Sequence, residues 1–163
     1  MLYFAYGSNM CTGRLRRRVP SATFSRIANL MGHSFRFHKR SDDGSAKGDA
    51  FETGNQSDVV WGVIFNVDDA EKPVLDRAEG TGYREKTATV LGQGEQEHPV
   101  VLYVADATSI DATLRPYSWY KRFVVDGARQ RALPNEYVDR IVAMPHMEDA
   151  DRERNRRMRA IAC

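Results

Sequence analysis

Hydrophobic positions along the chain follow two regimes. As far as about residue 104 they form short runs with partial alternation, the pattern of strands. Leu2–Tyr6 is a fully apolar run closed by Gly7, as expected of a buried strand entering a turn. The stretch Thr23–Arg40, with Phe24, Leu30, Phe35 and Phe37, predicts one or two strands. Ser41–Lys47 reads as a polar turn. Ala50–Glu52, Val59–Val67, Thr87–Val90 and Val100–Val104 predict further strands, the second rich in β-branched residues and carrying Trp61. From residue 117 the spacing becomes helical: Tyr117–Arg131, Pro134–Met144 and a charged segment Asp149–Ile161. Ser8 or Asn9 is placed to cap a short helix through Arg14 and Leu15 to Arg18, which Pro20 stops.

One further helix is inserted among the strands. Asp68 or Asp69 can cap it, with Glu71 in a capping-box-like position. Ala70, Val74, Leu75 and Ala78 share one face, which predicts that this face meets the core. Gly80 follows, the favoured residue just past a helix end. Strands first and helices last, with one helix between strands, argue for an α+β fold: a mixed sheet or small barrel carrying helices on its outside.

Glu79 sits on the edge of that apolar face, in the last turn of the inserted helix. Apolar surroundings and the negative end of the helix dipole both disfavour its charged form. A carboxylate with a raised pKa is a candidate general base. The plain alternative is a boundary glutamate that reaches water. The strand ending in Gly7-Ser8-Asn9 is a second candidate. Such a turn offers backbone N–H groups and short polar side chains to a carboxylate or a carbonyl. Its alternative is an ordinary polar turn. It is not a phosphate loop, because the Gly spacing and the Lys-Ser/Thr ending are missing.

Composition narrows the classes. The chain has 163 residues, the size of one domain. A net charge of +2 gives no global case for nucleic acid, and no run of 18 apolar residues predicts a membrane span. Cys11 and Cys163, near opposite ends, give no ligand spacing and no disulfide framework, and predict a reduced, cytoplasmic protein. His33, His38, His98 and His146 are scattered without metal-ligand spacing. No metal or organic cofactor is called for. Arg14, Arg16, Arg17 and Arg18 cluster after the candidate turn and can help attract an acidic substrate. The arginines at 152, 154, 156, 157 and 159 alternate with acids and read as a solvated helical face.

Taken together, several segments resemble the γ-glutamyl cyclotransferase family. Tyr3-Phe4-Ala5-Tyr6-Gly7-Ser8-Asn9-Met10 looks like its N-terminal signature. Trp61-Gly62-Val63 resembles its Trp-Gly-Val strand, and Leu75-Asp76 with Glu79-Gly80 resembles the helix presenting its catalytic glutamate. Tyr83 follows where the family has an aromatic. Tyr120-Lys121, Gly127-Ala128 and Leu133-Pro134 with Tyr137 resemble its C-terminal helical pair. The resemblance spans about Leu2 to Ile141. It implies a mixed β-barrel with surrounding helices and an internal acyl transfer that releases 5-oxoproline and a free amino acid or amine. It implies Glu79 as catalytic acid/base. It makes Tyr3, Phe4, Ala5, Tyr6, Gly7, Ser8, Asn9 and Tyr120 substrate-binding residues, with Tyr83 as a possible further contact. The division expected is a domain at 1–146 and a charged helical tail at 147–163. The partner expected is a small γ-glutamyl molecule, with no nucleic acid and no membrane, in a monomer or homodimer. The competing reading is a non-catalytic binding or interaction domain on the same fold.

Overall fold

The computed structural model describes residues Met1–Cys163. Seven strands form: β1 (Leu2–Ala5), β2 (Thr23–Met31), β3 (His33–Arg40), β4 (Ala46–Glu52), β5 (Val59–Asn66), β6 (Tyr83–Leu91) and β7 (Glu97–Ala105). Five α-helices accompany them: α1 (Thr12–Arg16), α2 (Lys72–Glu79), α3 (Ser118–Gln130), α4 (Asn135–Ala143) and α5 (Arg152–Arg159). Five strands close into a barrel in the order β1-β5-β2-β6-β7. All its pairings are antiparallel except β1 with β7, which meet in parallel at Tyr3 and Val101. The expected mixed barrel is therefore the fold. β5 lies between β1 and β2, and Val60, Val63, Ile64 and Phe65 are fully buried, so the strand is covered on both faces.

β3 and β4 form a separate two-stranded ribbon. Asp49 ties it to the barrel. One of its oxygens accepts the Ala105 N–H at 2.8 Å, and the other pairs with His38 Nε2 at 2.8 Å. This explains why β4 starts at Ala46, earlier than the apolar run Ala50–Glu52 predicts. Lys47 and Asp49 enter the strand because each is paired, with Asp43 and His38 respectively. β6 and β7 likewise outrun their apolar centres, because nine residues pair in register from Tyr83–Ala105 to Leu91–Glu97.

Three local expectations are corrected. Ser8 and Asn9 cap no helix: they lie inside a 3-10 turn (Ser8–Met10), and α1 begins only at Thr12 without a side-chain cap. Their side chains are committed elsewhere, as described below. Glu71 forms no capping box, because it accepts the Ser21 N–H and hydroxyl at 3.0 and 2.6 Å, while Asp68 caps the turn by accepting the Ala70 N–H at 2.9 Å. On the inserted helix only Leu75 is fully buried; Val74 and Ala78 are half-buried and Ala70 is exposed. This short helix sends one residue into the core, not a full stripe. Gly80 closes it with φ of 74°.

The cysteines are also corrected. Cys11 and Cys163 form a disulfide, with Cα atoms 4.7 Å apart across 152 residues of sequence. The chain end runs back over α1, where Gly13 N–H donates to the Cys163 carbonyl at 3.0 Å. Arg122 of α3 holds the same segment by donating to the Met158 and Ile161 carbonyls. Tertiary packing brings the two thiols together, so no sequence spacing announces the pair.

α3 presses its buried face on the 3-10 turn. A Cβ on Gly127 would lie 2.5 Å from Cys11 N and 2.6 Å from the Met10 carbonyl carbon. Gly127→Ala must therefore push the helix off the turn. Chemical denaturation should show a loss of about 1–3 kcal/mol, whereas unchanged stability would mean that this contact does not set the helix position.

Candidate active site

Glu79 ends α2 and lines one cleft with Tyr3 of β1 and the turn that follows that strand. Its Oε1 accepts the Tyr3 hydroxyl at 2.9 Å and the Asn9 side-chain amide at 2.7 Å. Asn9 Nδ2 also donates to Tyr3 Oη at 3.0 Å, which closes a triangle. No protein group bonds Oε2, which is not sealed from the cleft. One carboxylate oxygen is thus fixed and the other is free to exchange a proton.

Burial raises the pKa of Glu79 above the ordinary carboxylate range. Arg18, the Tyr3 hydrogen bond, Arg14 and Lys39 pull the other way. The direction agrees with the sequence expectation, but the opposing cations were not foreseen. Burial also raises Tyr3, Tyr6, Tyr83 and Tyr120, so their hydroxyls stay neutral.

The structure brings most of the expected residues to one cleft: Tyr3, Tyr6, Gly7, Ser8, Asn9, Glu79, Tyr83 and Tyr120 line it. Phe4 and Ala5 do not join them. Strand alternation turns Phe4 into the core, where its ring lies against Gly62, and the Ala5 carbonyl faces the same glycine. Tyr6 donates its hydroxyl to the Tyr103 carbonyl, and Tyr103 in turn donates to Asp76 of α2. The Gly7 N–H has no backbone or side-chain acceptor, and no side chain caps the 3-10 turn after it. That leaves donors for a bound carbonyl or carboxylate at the cleft floor.

Sequence reasoning missed Gly48 and Tyr103, which complete the lining. Tyr120 Oη accepts the Gly48 N–H at 3.0 Å, and Tyr83 donates to the Gly48 carbonyl at 2.6 Å. A lone glycine within a strand is a signal of close approach and could have drawn attention to it. Of the arginine cluster, Arg14 and Arg18 face the cleft. Arg14 Nε donates to the Ser8 hydroxyl at 3.2 Å, and Arg18 lies 3.4 Å from Asn9 Oδ1. Arg16 instead binds the Ala22 carbonyl, and Arg17 is exposed. No group of three His, Cys, Asp or Glu side chains is placed to hold a metal ion. No helix is long and apolar enough to cross a membrane.

The architecture is that of a closed five-stranded barrel with a carboxylate hydrogen-bonded to its first strand. The AIG2-like family model matches residues 59–141, more than half of the chain, and the chain belongs to that family. It is 28% identical over 152 residues to the human gamma-glutamylcyclotransferase, covering 88% of this chain and 78% of that one. The bovine gamma-glutamylcyclotransferase is likewise 28% identical, over 149 residues, covering 86% and 76%. A solved gamma-glutamyl cyclotransferase structure superposes with a TM-score of 0.85 at 27% identity, covering 97% of each chain.

Carbon-13 NMR titration of the Glu79 carboxyl should give a midpoint above the usual carboxylate value. Removing the opposing charge with Arg18→Met should raise it further. A midpoint that falls in Arg18→Met would contradict the electrostatics described here.

Proposed function

We propose that the protein is a γ-glutamyl cyclotransferase: the substrate's α-amine attacks its own γ-glutamyl carbonyl, releasing 5-oxoproline and a free amino acid or amine. The observation that carries this reading is the asymmetric Glu79 carboxylate, with Oε1 held by Tyr3 and Asn9 and Oε2 free at the cleft. The similarity to proteins named gamma-glutamylcyclotransferase over most of the chain supports it.

The mechanism follows from what the reaction demands. An α-ammonium group cannot attack, so a base must take its proton first. Glu79 Oε2 is the group in place, and its raised pKa brings it nearer neutrality, where proton transfer is efficient. The amine nitrogen then bonds to the carbonyl carbon and a five-membered ring closes. The carbonyl oxygen becomes an oxyanion as the ring closes, and the floor of the cleft supplies the Gly7 N–H as a donor for it or for the substrate carboxylate. When the tetrahedral carbon collapses, Glu79 returns its proton to the leaving nitrogen and the amide C–N bond breaks; the ring nitrogen then gives up its extra proton through the same carboxylate to the freed amine. Nucleophile and electrophile belong to one molecule, so the remaining task is folding the substrate into an attacking pose. Tyr6, Ser8, Tyr83, Tyr103 and Tyr120 supply the walls for that.

In this reading residues 1–146 carry the reaction and 147–163 form a charged helical tail. Its setting is cytoplasmic and its place is in the metabolism of glutathione-type γ-glutamyl compounds. Cytoplasmic reductants oppose disulfides, so the Cys11–Cys163 bond stands against this setting.

The test is 5-oxoproline release from a panel of γ-glutamyl compounds by the wild type beside Glu79→Gln. Turnover that drops about 100-fold or more in the variant is expected of a general base. Equal activity in both would remove Glu79 from the centre. Ligand binding with no turnover would favour the non-catalytic reading.

A further inference from the structure

Outside Glu79 the cleft opens into a vestibule of about 310 Å³. Its lining is unusually cationic: Arg14, Arg18, Lys39, Lys47 and Arg154 face it, against only Asp43 and Glu79. Two of these cations are already neutralised. Lys47 pairs with Asp43 at 2.6 Å, and Arg154 pairs with the buried Asp149 at 2.6 Å. Arg14, Arg18 and Lys39 have no carboxylate within ion-pair distance.

Their contacts fix the three side chains without neutralising them. Arg14 stacks on the Phe123 ring at 4.6 Å and reaches the Ser8 hydroxyl and the Met158 sulfur. Arg18 touches the Asn9 and Ala78 oxygens at 3.4 Å. Lys39 donates to the Thr81 carbonyl at 2.6 Å and sits over the Tyr83 ring. Asp42 acts on Lys39 only from a distance, on an exposed turn. Burial lowers Arg14 to about 10, so it remains charged at neutral pH. Partly desolvated, unpaired cations beside a substrate cleft are costly unless an anion joins them.

The charge balance indicates how many anionic groups are wanted. Three unpaired cations face the single Glu79 carboxylate, which leaves a surplus of two positive charges. A γ-glutamyl head enters as a zwitterion and leaves that surplus unchanged. The compensating charges must come from the other side of the scissile amide.

We propose that this vestibule selects a leaving group bearing two carboxylates, an acidic amino acid joined through its amine to the γ-glutamyl carbonyl. The inference rests on the cyclotransferase reading and narrows its substrate class. Arg14, Arg18 and Lys39 are its specificity determinants. One carboxylate meets Arg14 and Arg18 near Ser8, and the second meets Lys39 across the vestibule. A neutral amino acid fills only one of these positions, and a simple amine fills neither.

The test compares γ-glutamyl-aspartate with its isostere γ-glutamyl-asparagine as substrates of the full-length protein. The kcat/KM ratio should favour aspartate roughly tenfold or more at low ionic strength, as expected for a focused surplus of charge. The preference should shrink in about 0.5 M salt, where exposed charges are screened within a few ångströms. Lys39→Met should lower the ratio mainly through KM for aspartate, and Lys39→Arg should restore it. Equal kcat/KM for the two compounds in the wild type overturns the vestibule proposal while leaving the cyclotransferase standing. A ratio that survives both salt and Lys39→Met overturns it too. Absence of 5-oxoproline from every γ-glutamyl compound overturns both readings together.

Discussion

Glu79 Oε1 receives two hydrogen bonds, from Tyr3 of β1 and from Asn9 of the turn after it. Those bonds join segments 70 and more residues apart, the first strand of the barrel and the last turn of the inserted helix. They decide where the carboxylate stands, which of its oxygens is free, and how far burial can raise its pKa before the hydrogen bonds oppose it. The layers behind them hold the partners still. The barrel fixes Tyr3 through its pairing with Phe65 and Val101, and α3 fixes the turn through the close contact at Gly127.

Much of this was legible in the sequence, and for physical reasons. The stretch Val59–Phe65 of β5 carries no polar side chain, so its run marks the strand. Gly80 marks the end of α2 because a left-handed φ at a helix end favours glycine. Glu79 was visible as an acid at the edge of an apolar helical face. The ends of β4, β6 and β7 were not visible, since polar residues are held there by pairing with a neighbouring strand or by Asp49 and His38. Phe4 and Ala5 share a signature segment with residues of the cleft, but strand alternation turns the Phe4 ring into the core, and Ala5 is buried with its carbonyl against Gly62.

Long-range proximity was the least legible layer. The tail reads as a solvated charged face, and α5 does keep most of its arginines exposed. Yet Arg154 pairs with buried Asp149, and Met158 reaches the vestibule. Cys163 lies beside Cys11 because Arg122 and α1 gather the chain end, a convergence that spacing cannot encode. The same holds for Lys39, which stands across the cleft from α1 only after the ribbon folds against the barrel. Cations scattered through the first third of the chain thus come to surround one acid; they oppose the burial that raises its pKa and set the character of the surrounding surface.

The most direct check joins the geometry at Glu79 to the chemistry assigned to it. The acid limb of the kcat/KM pH profile for 5-oxoproline release should be set by Glu79, because the base works only when deprotonated. Tyr3→Phe removes a hydrogen bond that favours the charged carboxylate. The account predicts that the acid limb of the variant moves to higher pH, with activity retained above it. An acid limb unmoved in Tyr3→Phe, in a folded protein that still turns over, would contradict the claim that the clamped Glu79 carboxylate is the working base.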